Sequence, residues 1–238
     1  MFPFRGTQKG EERMTGIICA MTIEAEGVIS EMENKEITVI SGIEYTVGKL
    51  YGKDVVVAVC GVGKVFAAAC AQTMILKYQP DEIINVGVAG SLVPELKVFD
   101  VAVATHLCQH DMDTSAIGDP VGLISGINIV KFPSCERINK ALIECLKSSG
   151  LNYKEGTIAS GDLFVAEREK KNWIRDTFDA VACEMEGGSV AQICYINNVD
   201  FAVLRAISDE EGGDYAVFAK KAAENSAMII KEYIRNKQ

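Results

Sequence analysis

No apolar stretch in this 238-residue chain approaches the roughly 18 residues that a membrane-spanning helix needs. The longest candidate, residues 55–63, is closed by Lys64. Positive charge is scarce: 24 Lys and Arg face 33 Asp and Glu, a formal net charge of −9. That deficit argues against a nucleic-acid partner, which draws on clustered cations, and against an anionic membrane surface. Closely spaced cysteines are missing. Of Cys19, Cys60, Cys70, Cys108, Cys135, Cys145, Cys183 and Cys194, no two are two or three residues apart, so no zinc or redox spacing exists. Most stand in apolar runs and read as reduced, buried thiols of a cytoplasmic protein. His106 and His110 are the only histidines, and such a pair near a strand end is more often structural than metal-binding. No metal and no cofactor is expected. Linkers rich in Ser, Gly or Pro are also absent, as are repeats, which leaves one domain over residues 14–238. Residues 1–13, MFPFRGTQKGEER, have no apolar centre of a signal peptide and are set apart as a disordered or artificial tail.

What is present is an ordinary globular balance, 48% hydrophobic and 24% charged. Apolar runs of strand length occupy residues 17–21, 55–60, 83–89, 101–104, 157–160, 181–184 and 201–207. Near-continuous runs of this kind are the mark of buried parallel strands. Between them lie helical patterns at 64–78, 137–149, 167–177, 187–197 and 215–235, the last with a clear amphipathic face. Residues 37–40 and 45–50, joined by Ser41-Gly42, read as an antiparallel hairpin. The expected fold is α/β, a three-layer α/β/α sandwich with a mixed, mostly parallel central sheet. Glu24, Gly61, Gly63, Gly87, Gly90, Phe164, Glu186 and Asp209 all follow or flank the carboxyl ends of these runs. In open α/β sheets that rim is where ligands bind.

Gly61-Val62-Gly63-Lys64 is not a phosphate-binding P-loop, because Val65 stands where Ser or Thr is required. Nor is it a dinucleotide fingerprint, since the sixth position is Phe66. It reads equally well as a tight turn or as a close backbone approach to a neutral ligand, and Gly87-Val88-Ala89-Gly90 is a similar case. Cys183-Glu184-Met185-Glu186-Gly187-Gly188 is sharper: two carboxylates interrupt an apolar run where a strand hands over to a helix. One of them could simply sit at the helix N-terminus. Glu184, inside the apolar approach, needs donors, and vicinal sugar hydroxyls are suitable ones. Arg205 lies in an apolar strand and requires an acidic partner. Asp209 ends that strand, as a turn residue or as a general acid at the sheet rim. Glu24 taken alone is ordinary acidic enrichment in a first helical turn.

Taken together and in order, GIICAM with Glu24, GVGK, INVGVAG, SGDLF, CEMEGG and RAISD resemble the 5′-methylthioadenosine/S-adenosylhomocysteine nucleosidases of the nucleoside phosphorylase-like superfamily, over about residues 16–236. The resemblance implies a homodimer that hydrolyses the N-glycosidic bond of a 5′-thio-substituted adenosine and releases adenine. By position, Asp209 would protonate adenine N7 and Glu24 would activate the attacking water. Glu186 would bind the ribose hydroxyls, with Met185 packed on the sugar. Phe164 would stack on adenine and Val165 would offer backbone groups to its edge. Arg205 and Ser208 would support water and acid. Met21, Val62, Ala89 and Glu184 would belong to the substrate pocket, with Tyr215 near the 5′ side. Ile117 and Asp119 fall where the family places aromatics over the partner subunit's 5′ tail, and Val88 where several relatives carry Ser. Cleavage builds positive charge on the ribose while the leaving base needs a proton, so acidic groups at both ends of the sugar suit it. Three rivals remain: a phosphorylase using phosphate as nucleophile, a nucleosidase for a futalosine-type substrate, and a non-catalytic nucleoside-binding module.

Overall fold

The computed structural model describes the backbone of residues 14–209 and 215–237, with side chains at 14–208 and 218–237. Its elements run β1 (Thr15–Cys19), α1 (Thr22–Ile29), β2 (Glu33–Ile40), β3 (Ile43–Leu50), β4 (Lys53–Val59), α2 (Lys64–Tyr78), β5 (Glu82–Ser91), β6 (Val101–Gln109), β7 (Phe132–Pro133), α3 (Glu136–Ser149), β8 (Tyr153–Ser160), α4 (Arg168–Phe178), β9 (Ala180–Glu184), α5 (Gly187–Asn197), β10 (Asp200–Asp209) and α6 (Tyr215–Asn236). One 3-10 turn, Ser115–Ile117, lies between β6 and β7.

The strands form one mixed sheet with helices on both faces. Successive residues of a strand point to opposite faces, and here both faces are covered. Ile18 joins the core cluster containing Ala67, Cys70 and Met74 of α2 and Val190 of α5. Its neighbour Ile17 joins the opposite cluster with Ala25 of α1, Leu142 of α3 and Ile230 of α6. The unbroken apolar runs of the sequence are the direct consequence. Ile174 and Phe178 of α4 pack into a third, smaller cluster.

β1 pairs in parallel with both β4 and β5, and the hairpin β2–β3 extends this half antiparallel from β4. The other half curls. β10 runs parallel along β5 and antiparallel to β6, β6 lies parallel to β8, and β8 to β9. β9 then returns to the last two residues of β5, with Gly90 opposite Cys183 and Ser91 opposite Ala182. The strands β5–β10–β6–β8–β9 therefore close a ring, which gathers the carboxyl ends of β5, β8, β9 and β10 together. Nothing in the one-dimensional pattern showed this closure.

Several boundaries differ from expectation. β6 continues to Gln109 rather than stopping at 104, past an irregularity between Ala104 and His106. β8 starts at Tyr153, in a stretch too polar to read as a strand. The hairpin strands reach back to Glu33 and Ile43. Helix α1 was signalled only by Glu24 in its first turn, because its eight residues, TIEAEGVI, are too short to show a period. Residues 1–13 lie outside the described residues.

Candidate active site

The turn from β1 into α1 is built around a buried acid. Glu24, 2% exposed, sits in the first turn of α1, and its carboxylate reaches back over the helix start. Oε2 accepts the N–H groups of Ala20 and Met21, both at 2.9 Å. Oε1 accepts Val88 N–H at 3.1 Å, across from the end of β5. Burial raises its pKa against the opposing pull of Arg205 and the three backbone donors. A carboxylate oxygen offers two acceptor sites. Among the described residues, Oε2 has filled both, whereas Oε1 keeps one beside the cavity described below.

Arg205 lies on β10 and is completely buried. The acidic partner it needs is Glu184, bonded to its Nη2. The same nitrogen donates to Asn85 Oδ1 at 2.5 Å and stands 3.5 Å from Glu186 Oε2. Nε and Nη1 have no hydrogen-bond partner among the described residues. Burial works against the charge, but Glu184, Glu186 and Glu24 together raise the guanidinium pKa. Gly87 makes this arrangement possible. A Cβ there would stand 2.2 Å from Arg205 Nη1 and 2.6 Å from Glu24 Oε1, so only glycine lets acid and cation converge across β5.

The two acids that end β9 have different surroundings. The donors that Glu184 finds are not ones a sugar would bring. They are the Ser160 hydroxyl, the N–H groups of Glu186 and Gly187 at 3.0 and 2.7 Å, and Arg205. Burial opposes its ionisation, but Arg205 and these donors hold its pKa below the usual value. Groups of the fold therefore hold both of its oxygens. Glu186 is the N-cap of α5, and its Oε1 accepts Gly63 N–H at 2.9 Å. Burial, and then the charge of Glu184, push its pKa up to about 7. One acid is thus fixed as a structural anion while the other titrates near neutrality.

These groups border one cleft that opens to solvent. Met21, Glu24, Val62, Ala89, Phe164, Val165, Glu184, Met185, Glu186 and Ser208 all line it. Arg205 does not; it stands behind the carboxylates. Phe164 is 55% exposed at the cleft wall, while Val165 is buried. Ser208 Oγ is buried without a partner among the described residues. Asp209 occupies the last position of β10, opposite Gly90 and just past an irregularity after Ile207; its side chain lies outside the described residues, as does that of Tyr215. Ile117 and Asp119 are not part of this cleft. Ile117 is 82% exposed on the 3-10 turn, and Asp119 Oδ2 accepts the Thr114 hydroxyl at 2.9 Å within its own loop.

Three contributors escaped the sequence reading. Asn85, wholly buried, holds Arg205 and donates to Ile18 O at 2.9 Å. A lone amide in the apolar run IINVGVAG was its signal, because a buried amide must find partners. Ser160 bridges Glu184 and the N–H of Gly188. Leu163 adds to the cleft wall beside Phe164.

The profile of the Phosphorylase superfamily matches residues 15–235 of this chain. The 5′-methylthioadenosine/S-adenosylhomocysteine nucleosidase of Shewanella sediminis is 35% identical over 220 residues, 90% of this chain and 96% of that protein. The nucleosidase of the same name from Neisseria meningitidis, solved with methylthio-immucillin-A, is 33% identical. It superposes with a TM-score of 0.91 over 94% of this chain and 100% of the other. The native futalosine hydrolase of Helicobacter pylori is as similar, at 34% identity and a TM-score of 0.91 over 95% of this chain and 99% of the other. The chain belongs to the 5′-methylthioadenosine/S-adenosylhomocysteine nucleosidase family. It is an N-glycosidase of the group that also includes futalosine hydrolase.

Proposed function

We propose that this protein hydrolyses the N-glycosidic bond of 5′-methylthioadenosine and S-adenosylhomocysteine, releasing adenine and the 5′-thio-substituted ribose. The observation that carries this reading is the opposition of Glu24 and Glu186 in one cleft, with the strand end that bears Asp209 beside them. Glu24, oriented by three backbone N–H groups, takes a proton from the attacking water through the free site on Oε1. Arg205 and Gly87 keep the charge of this acid in place. Glu186 offers Oε2 to the ribose hydroxyls, with Met185 packed on the sugar. Phe164 stacks on adenine, and the Val165 backbone meets its edge. Asp209 delivers the proton to N7 as the bond breaks. Irregular pairing after Ile207 supports this role, since such breaks re-aim side chains at functional rims. Ser208 supports the acid, and Tyr215 lies toward the 5′ side. No cofactor enters this scheme.

Water suits this cleft better than phosphate. Among the described residues lining it there is no Lys or Arg, and Arg205 behind it is enclosed by carboxylates. A phosphate dianion would meet like charge where it needs cations. A futalosine-type substrate is the second reading, favoured by the equal similarity to the Helicobacter pylori hydrolase. We further propose a homodimer. Val65, Phe66 and Leu76 of α2 and Tyr195 and Ile196 of the adjoining α5 are exposed, as is Ile117, and a second copy of the chain would cover such apolar side chains. The internal bonding of Asp119 supports a turn in the intersubunit loop over a contact with the substrate tail. Residues 14–238 act as a single domain in this reading, and eight free cysteines support a reducing compartment, the cytoplasm.

The test is chromatography of the purified protein incubated with methylthioadenosine, S-adenosylhomocysteine or futalosine, with and without phosphate. Free adenine and methylthioribose from the first, independent of phosphate, is the expected result. A strict phosphate requirement with a sugar 1-phosphate as product would hand the cleft to phosphorolysis, and turnover confined to futalosine would favour the second reading.

A further inference from the structure

Two loops carry groups of the cleft without belonging to a helix or strand. One, Gly61 to Gly63, gives its last N–H to Glu186. The other follows β8 and carries Leu163, Phe164 and Val165. A closed ring of hydrogen bonds ties them together. Asp162 Oδ1 accepts the N–H of Lys64 at 2.7 Å, at the start of α2. Asp162 N–H donates to Asp111 Oδ2 at 2.9 Å, and Asp111 Oδ1 pairs with Lys64 Nζ at 2.6 Å. The same ammonium reaches Gln109 at 3.2 Å, and Gln109 donates to Gln192 of α5 at 2.7 Å. Gly63 has a φ of +101°, and a Cβ there would stand 2.9 Å from Asp162 Oδ1, so the glycine also makes room for this carboxylate. Asp162, Asp111 and Lys64 do not line the cleft. Exposed ion pairs add little to stability, so the consequence of the ring is geometric.

We propose that Asp162, backed by Asp111 and Lys64, is a positioning residue for Glu186: it fixes the glycine turn whose N–H holds Glu186 Oε1, leaving Oε2 aimed at the sugar, and joins the Phe164 loop to the same frame. The inference rests on the nucleosidase reading and gives a role to residues for which the family resemblance named none. Its consequences fall on substrate binding rather than on the acid step. They also fall on the titration of Glu186, because the Gly63 N–H lowers a pKa that burial and Glu184 raise. The other charged groups facing Glu186, namely Glu184, Arg205 and Glu24, are untouched by changes at Asp162.

The experiment compares Asp162→Ala, Asp162→Asn and Asp111→Asn with wild type, using methylthioadenosine across pH 5–9. Asn at 162 loses the charge but keeps an acceptor for Lys64 N–H. Asp162→Ala should raise KM about fivefold, the worth of a lost helix cap, with kcat nearly unchanged. The acidic limb of its kcat/KM profile should move to higher pH. Asp162→Asn should restore both toward wild type, and Asp111→Asn should show a smaller change in the same direction, which keeps the test open if the alanine variant does not fold. An alanine variant with unaltered KM and acidic limb, or an asparagine variant as impaired as alanine, overturns the proposal while leaving hydrolysis intact. A wild-type protein that releases no purine base from any of the three nucleosides overturns the parent reading instead, and the positioning role with it.

Discussion

Glu186→Gln should stabilise the protein at neutral and alkaline pH while removing its hold on the ribose. Burial first, then the charge of Glu184, raise this carboxyl from 4.5 to about 7. Below about pH 4.5 folded and unfolded chains both hold the proton, and ionisation has no effect on stability. Between there and about pH 7 the unfolded chain ionises and the folded one does not, so stability falls as pH rises. Above about 7 both are ionised and the full penalty stands. At about 1.4 kcal/mol per pH unit, that penalty is at most about 3 kcal/mol. Glutamine cannot ionise, and its Oε1 still accepts the Gly63 N–H. Roughly 2–4 °C of melting temperature per kcal/mol holds for a chain of this size. The advantage of the variant should therefore be near zero at about pH 4.5, grow to roughly 6–12 °C by about pH 7, and stay level above it. Calorimetric melts of both proteins from pH 4.5 to 9 give the curve, and kcat/KM on methylthioadenosine gives the matching loss of function. A melting temperature that falls on substitution, or a difference constant across this range, would refute the reasoning. Either result would mean that Arg205 compensates the second carboxylate in full.

Asp209→Asn should lower kcat by about 10²–10⁴, the usual worth of a general acid, with the melting temperature little changed; a variant retaining half of wild-type kcat would sink the assignment. Gly87→Ala should cost at least about tenfold in kcat/KM, because its Cβ would stand 2.2 Å from Arg205 Nη1 and 2.6 Å from Glu24 Oε1, so both buried side chains would have to move. Normal turnover by that variant would show that their placement is dispensable. Ile117→Asp should weaken the proposed dimer and lower activity at dilute protein concentrations, measured by sedimentation velocity beside initial rates; a wild-type monomer that is fully active at assay concentration contradicts the intersubunit role of this loop.

The sequence by itself determined the layers and the rim. Strands buried on two faces must be apolar throughout, as Ile17 and Ile18 are, and such runs are readable without coordinates. The polar residues interrupting them at Glu184, Glu186 and Arg205 were equally visible, because burial of charge has to be justified by a partner, whereas Glu24 by itself read as an ordinary first-turn acid. Only the tertiary structure decided who partners whom. Arg205 could have met any of several acids; the closing of β9 and β10 on β5 brings it to Glu184, and so makes Glu184 a fixed anion and leaves Glu186 to titrate. Asn85 and the ring of Asp111, Asp162 and Lys64 were hidden for the same reason. Hydrogen bonds between residues 21 to 120 positions apart depend on strand order and register, which a local pattern of side chains does not encode.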